Sequence, residues 1–262
     1  MTDKLPSSSP TPSSLSSYSE SQQAAYISVR LPSSGEPIVV YAVLTLSILV
    51  YLFQVLSKMI LGSDLPLYLG AKWNEAIQAG QIWRLFTPML LHGSLLHIGF
   101  NMYALLVIGR ALENYYGHLR FLLLYLLAGY AGNVMSFLMS PDLSVGASTA
   151  LFGLIAAQGI FIIKNRFLFG QQRSLSMILN TLFIVLVNLF IGLSPGIDNW
   201  GHLGGLIGGF TFAWFAGPAY HVGGEVPNLY LAENKPEQRT WLTVIILGTA
   251  LSFLVALIVL LR

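Results

Sequence analysis

Charged residues are spaced along this chain so as to leave seven long uncharged stretches. They lie between Glu36 and Lys58, Arg84 and Arg110, Arg120 and Asp142, Asp142 and Lys164, Arg173 and Asp198, Asp198 and Glu225, and Arg239 and Arg262. At about 1.5 Å rise per residue, each can cross a hydrocarbon core roughly 30 Å thick. In lipid only helices and closed barrels satisfy their own backbone polar groups, and no stretch alternates apolar and polar residues as a barrel strand does. The pattern predicts seven membrane helices, the first to the seventh in chain order. Residues 1–36 are patterned differently. Their Ser, Pro and Thr content ("LPSSSPTPSSLSSYSESQ") buries too little apolar area to offset ordering entropy, which predicts a disordered tail. The tail lacks the basic start and short apolar core of a cleavable signal, so the first helix is expected to stay as an anchor. Residues 37–262 then form one all-α membrane domain.

Composition supports the pattern. Of 262 residues, 55% are hydrophobic and 9% charged, with a mean hydropathy of +0.68; a water-soluble domain cannot cover its surface on that balance. The absence of cysteine excludes disulfides and thiol chemistry. Net charge says little, but the placement of cations sets an orientation. Arg110, Arg120, Lys164, Arg166, Arg173, Lys235 and Arg239 follow the second, fourth and sixth helices, and Lys4 and Arg30 lie in the tail. Lys58, Lys72, Arg84 and Arg262 fall on the other side. The positive-inside rule makes the N-terminus cytoplasmic and the C-terminus external, in a cell membrane.

The second, fourth and sixth helices then all run inward, and the unusual polar residues come early in each. The second carries "HGSLLHIGFN", with His92, His97 and Asn101; the fourth opens at "GASTALFG", with Ser148; the sixth opens at "NWGHLGGLIGG", with His202. Counted inward, Ser148, His202, His97 and Asn101 share a layer roughly 5–10 Å below the outer surface. A serine in a membrane helix often only packs or bonds back to a carbonyl, and His97 and Asn101, four apart on one face, also suit a clamp between helices. Agreement in depth favours a wet functional cavity instead. His202, Gly205 and Gly209 form one stripe and let the sixth helix come close to a neighbour, as a short serine needs in order to meet an imidazole. Phe152, one turn below Ser148, can support that ring or make an ordinary apolar contact.

A serine hydroxyl becomes a nucleophile when a base takes its proton, and imidazole is the side chain best matched to that task near neutral pH. Ser148 and His202 are the pair. The only carboxylates near the layer, Asp142 and Asp198, fall in loops, so the expectation is a dyad with no third acid. His97, Asn101 and the Ser148 N–H are placed to stabilise an oxyanion. No cofactor, metal or nucleic acid is called for.

At these residues the chain resembles the rhomboid family of intramembrane serine proteases. The matching runs are "WRLFTPMLLHGSLLHIGFNMYAL", "GRALENYYGHLRFLL", "GASTALFG" and "GHLGGLIGG", in the family's order between about residues 70 and 215. The resemblance implies a six-helix core over about 37–220 and an extra helix over about 240–261. It also implies a Ser148 nucleophile, a His202 base, oxyanion contacts from His97 and Asn101, and single-pass membrane proteins as substrates. Thr149 departs from the pattern: many members have glycine there, and its β-branched bulk bears on the turn and the carbonyl pocket. The long connection from Leu61 to Leu91, with Trp73 and Trp83, is expected to lie in the outer interface. "GLSPGIDNW" is expected to cap the site as a movable turn. Glu113, beside Arg110 and Gly117, is expected to satisfy open backbone N–H groups and hold the fold. Two rivals are a non-enzymatic family-like protein that binds membrane helices, whose members have usually lost the serine or histidine, and a solute transporter, which would show inverted repeats. Oligomeric state is not written in the sequence.

Overall fold

The computed structural model describes residues 35–225, 228–233 and 236–261; the Ser-rich tail expected over 1–36 lies almost wholly outside them. Its long helices are α1 (Ile38–Leu61), then, after the short α2 (Leu65–Gly70) and α3 (Asn74–Gln78), α4 (Leu95–Ala104), which a π-helical turn joins to α5 (Arg110–Tyr116) as one rod. They continue as α6 (His118–Met139), α7 (Ser148–Lys164), α8 (Gln171–Ile191), α9 (Asn199–Ala216) and α10 (Pro236–Leu261). Between α9 and α10 lies an antiparallel pair of strands, β1 (Tyr220–Gly223) and β2 (Tyr230–Glu233), which the all-helical reading lacked. Five rods among the described residues are long and apolar enough to span a bilayer: α1, Leu95–Tyr116, α6, α8 and α10. The chain is an integral membrane protein.

The helices are shorter than the uncharged windows that contain them, each for a local reason. The second starts at Leu95, just past the expected connection from Leu61 to Leu91, because 82–90 forms two short 3-10 turns and Ser94 supplies the N-cap, its hydroxyl accepting the His97 N–H at 3.2 Å. His92 therefore precedes the helix. The fourth starts only at Ser148: Pro141 and the positive φ of Gly146 (128°) interrupt the window, and Ser144 pairs with Lys72 in an isolated antiparallel bridge. The sixth stops at Ala216, where Gly217-Pro218 turns the chain into β1. Charge spacing marks where lipid begins and ends, whereas caps and turns set helix ends.

The centre of the bundle is α6, α7 and α9. Two-thirds (67%) of the apolar window of α6 is buried, against 6% for α8 and 11% for α10, which line the periphery. Small residues allow the central contacts: a methyl group on Gly205 of α9 would run into the backbone of Thr149 on α7, lying 2.8 Å from its carbonyl carbon.

The end of the bundle away from Ser148 is tied by polar groups. Glu113 accepts the Val39 and Val40 N–H groups at 2.9 and 2.8 Å, capping α1, and its Oε1 lies 2.5 Å from His118 Nδ1. This is the expected backbone role, exerted on a helix 73 residues away. Lys164 Nζ donates to the carbonyls of Ala213, Trp214 and Gly217 at the end of α9, and Arg120 forks onto Glu233 at 3.0 and 3.1 Å.

Candidate active site

Helices α4, α7 and α9 all begin at one end of the bundle, so their first turns meet there. Asp198 sets the start of α9: one carboxylate oxygen accepts the Gly201 N–H at 2.9 Å and the other takes the Ser136 hydroxyl. His202 then lies one turn in, 7% exposed, with Nε2 2.9 Å from Ser148 Oγ. Ser148 is the first residue of α7 and half-buried. The helix's own bonding begins with Leu151 N–H on the Ala147 carbonyl, so the Ser148 N–H has no partner within its helix. Phe152, one turn on, stacks against the imidazole at 4.3 Å between centroids and 14° between planes.

Nδ1 of His202 is buried and has no partner among the described residues. Asp198 is occupied as a helix cap, and Asp142 lies on an exposed loop. Among the described residues no carboxylate bonds this imidazole, whose ring is held by Phe152 and by the close approach of α9 to α7.

His97 lies across from the serine. Its Nδ1 accepts the Gly93 N–H at 3.4 Å, which leaves the proton of the neutral ring on Nε2. A carbon built on Gly146 would lie 2.7 Å from that Nε2 and 3.5 Å from Ser148 Oγ. Both atoms thus face Gly146, where a side chain would run into the His97 ring. Asn101 is placed differently: its amide turns back to donate to the His97 carbonyl at 3.0 Å, which commits one N–H to its own helix. His202 contacts both Ser148 and Phe152, His97 faces Gly146, and Asn101 stands one turn beneath His97.

The bulk of Thr149 is taken up between α6 and α9. Carbons built on Gly132 and Gly201 would each lie 3.0 Å from its γ-methyl. Its hydroxyl is buried without a partner. Residues 193–197, joining α8 to α9, are exposed.

Two neighbours, Gln54 and Lys72, escaped the sequence reading of the site, and His92 was named without a role. Gln54, a lone amide in the apolar run of α1, brackets His92 through its backbone, accepting its N–H at 3.0 Å and donating to its carbonyl at 3.3 Å. His92 itself, 1% exposed, presses edge-on to His97 at 5.2 Å. Lys72 is wholly buried against the segment that leads into Ser148. A polar residue inside an otherwise apolar run was the available signal for Gln54; nothing marked Lys72.

Residues 79–219 match the family model for the rhomboid domain. The chain is 40% identical over 181 residues, 69% of its length and 35% of the relative's, to rhomboid protease GluP of Bacillus subtilis (strain 168). It is 40% identical over 143 residues to RHOMBOID-like protein 6, mitochondrial, of Arabidopsis thaliana, covering 54% of this chain and 46% of the relative. With RHOMBOID-like protein 1 of the same plant the identity is 36% over 200 residues, 72% of this chain and 51% of the relative. The chain thus spans about half the length of these relatives or less.

Proposed function

The chain belongs to the rhomboid family, and from that premise we propose that it is an intramembrane serine endopeptidase working through a Ser148–His202 dyad. The observation that carries the proposal is the 2.9 Å contact between Ser148 Oγ and His202 Nε2 in a half-buried position. His202 takes the hydroxyl proton as Oγ attacks the scissile carbonyl, then gives it to the leaving amine. A water deprotonated by the same nitrogen hydrolyses the acyl-enzyme. The developing oxyanion forms beside Gly146, on the side that the His97 Nε2–H and the Ser148 N–H face, and Asn101 supports it from one turn below. Each such donor contributes about 3 kcal/mol to the transition state in hydrolases.

The substrates are single-pass membrane proteins, cleaved near the external face of a cell membrane. The N-terminal tail is cytoplasmic and the C-terminus external, as the Lys and Arg placement directs. A helical substrate must unwind to present its carbonyl, so helix-weakening residues are expected at the cleaved bond. The six-helix core runs over about 37–220, and α10 is an added helix at its edge.

The test is covalent labelling of the purified protein with a fluorophosphonate. Wild type is expected to label, and Ser148→Ala and His202→Ala to lose the signal. Equal labelling of wild type and Ser148→Ala would refute the nucleophile. Co-expression with single-pass proteins carrying a tag on each side then reports cleavage directly.

A further inference from the structure

The segment that delivers Ser148 meets its flanking helices at its two ends, where Ser140 N–H donates to the Ser136 carbonyl and the Ala147 carbonyl accepts from Leu151. Between the end of α6 at Met139 and the start of α7, residues 140–147 form no helix. Their anchor comes from the 61–91 connection, far away in sequence. Lys72, with no exposed surface, donates from Nζ to the Ser140 carbonyl at 2.8 Å and the Asp142 carbonyl at 2.7 Å. Its backbone bonds Ser144 in both directions, at 3.0 and 3.1 Å, and Pro88 of the same connection accepts the Gly146 N–H at 2.9 Å. Asn74 adds amide bonds to Phe137 and Ser140 at 3.3 and 3.0 Å. Only three residues separate Ser144 from Ser148, and one of them is the Gly146 that faces His97 and the serine.

Lys72 is itself fixed. Arg84 donates to the carbonyls of Ala71 and Tyr68 at 2.9 and 2.8 Å, and Thr87 to that of Gly70 at 2.6 Å. The connection is therefore a truss whose last member is a buried ammonium. Its two Nζ acceptors are backbone carbonyls just past the end of α6, where the helix dipole favours a cation. Burial lowers the pKa of that ammonium, while Asp198, Asp142 and Glu75 oppose the change.

We propose that Lys72 is a positioning residue for the reaction: it fixes the 140–147 segment so that Ser148 Oγ, its N–H and Gly146 keep their register against His202 and His97. The proposal rests on the reading of Ser148 as the nucleophile. A displacement on the order of 1 Å at that point costs about a hundredfold in rate.

The experiment compares full-length wild type, Lys72→Met, Lys164→Met and Ser148→Ala in detergent, measuring the rate and saturation of fluorophosphonate labelling and the heat-unfolding midpoint. Lys164 is a matched control, also donating to backbone carbonyls, at the opposite end of the bundle. Lys72→Met is expected to slow the maximal labelling rate about tenfold or more while half-saturation stays within about twofold. Lys164→Met is expected to lower the unfolding midpoint and label at the wild-type maximal rate. Lys72→Met labelling as fast as wild type, or both variants slowing in proportion to lost stability, would overturn the proposal. Where Lys72→Met does not fold, Lys72→Gln decides, since it keeps a donor for one carbonyl: an intermediate rate supports the role and a wild-type rate overturns it. Labelling that survives in Ser148→Ala would instead bring down the nucleophile assignment, and this proposal with it.

Discussion

Gly205→Ala adds one carbon at the tightest point between α7 and α9. That carbon would sit 2.8 Å from the Thr149 carbonyl carbon and 3.2 Å from its Cα, and closer still to the carbonyl oxygen. Carbon pairs settle at about 3.5 Å or beyond, so the helices must part by about 0.7 Å even if the oxygen is ignored. Thr149 adjoins Ser148, and Gly205 is three residues from His202. Parting the backbones therefore stretches the Ser148–His202 contact from 2.9 Å to about 3.6 Å, beyond the roughly 3.2 Å over which a base takes a proton efficiently. The expected result is a fall of about 10- to 100-fold in fluorophosphonate labelling rate. Overpacking should also cost about 1–3 kcal/mol of stability. The assay is stopped-time labelling read on a gel beside the unfolding midpoint. Gly248→Ala is the control, because its added carbon would meet only Leu127 at 4.0 Å. Should Gly205→Ala label at the wild-type rate, α9 does not set the distance between the two side chains and the argument from close packing is wrong.

Three further outcomes follow from the same geometry. Thr149→Val removes a buried hydroxyl that has no partner while keeping its shape, so the unfolding midpoint should hold or rise and labelling should not change; a large loss of either would mean the hydroxyl has a role that the packing does not reveal. Glu113→Ala strips the cap from the Val39 and Val40 N–H groups and should cost roughly 2–4 kcal/mol, seen as a lower unfolding midpoint with an unchanged labelling rate in the protein that remains folded. Burial, with His97 beside it, pushes the His92 imidazole down to about 4. The unfolded chain then takes up a proton that the folded one refuses between pH about 6.5 and about 4, so stability falls as pH falls through that window and levels off above it. The full difference is about 3 kcal/mol. The unfolding midpoint should drop from pH 7 to pH 5 by less in His92→Leu than in wild type, and equal drops would show that another group carries the acid sensitivity.

How much of this was legible in the sequence differs from residue to residue. The membrane class and the shared layer of Ser148, His202 and His97 could be read because charge is costly in lipid and residues near helix starts share a depth whatever the bundle's arrangement. The cap at Ser94 and the helix end at Ala216 could not, because an uncharged window bounds a span without saying where its caps lie. Asn101 was read as facing the serine from its spacing to His97, yet its amide bonds back to its own helix. Thr149 was weighed against the carbonyl pocket, and its methyl lodges between α6 and α9.

By itself the sequence determined which segments enter lipid, the all-helical plan of those segments and the family to which they belong, since all three depend on local composition and on motifs in order. Only the tertiary structure decided that a lysine from a distant connection anchors the chain ahead of Ser148, that Gln54 holds His92 and that Glu113 caps α1. Backbone groups outside helices take whichever partner folding brings within about 3 Å, and that choice is made between segments that have no relation along the chain.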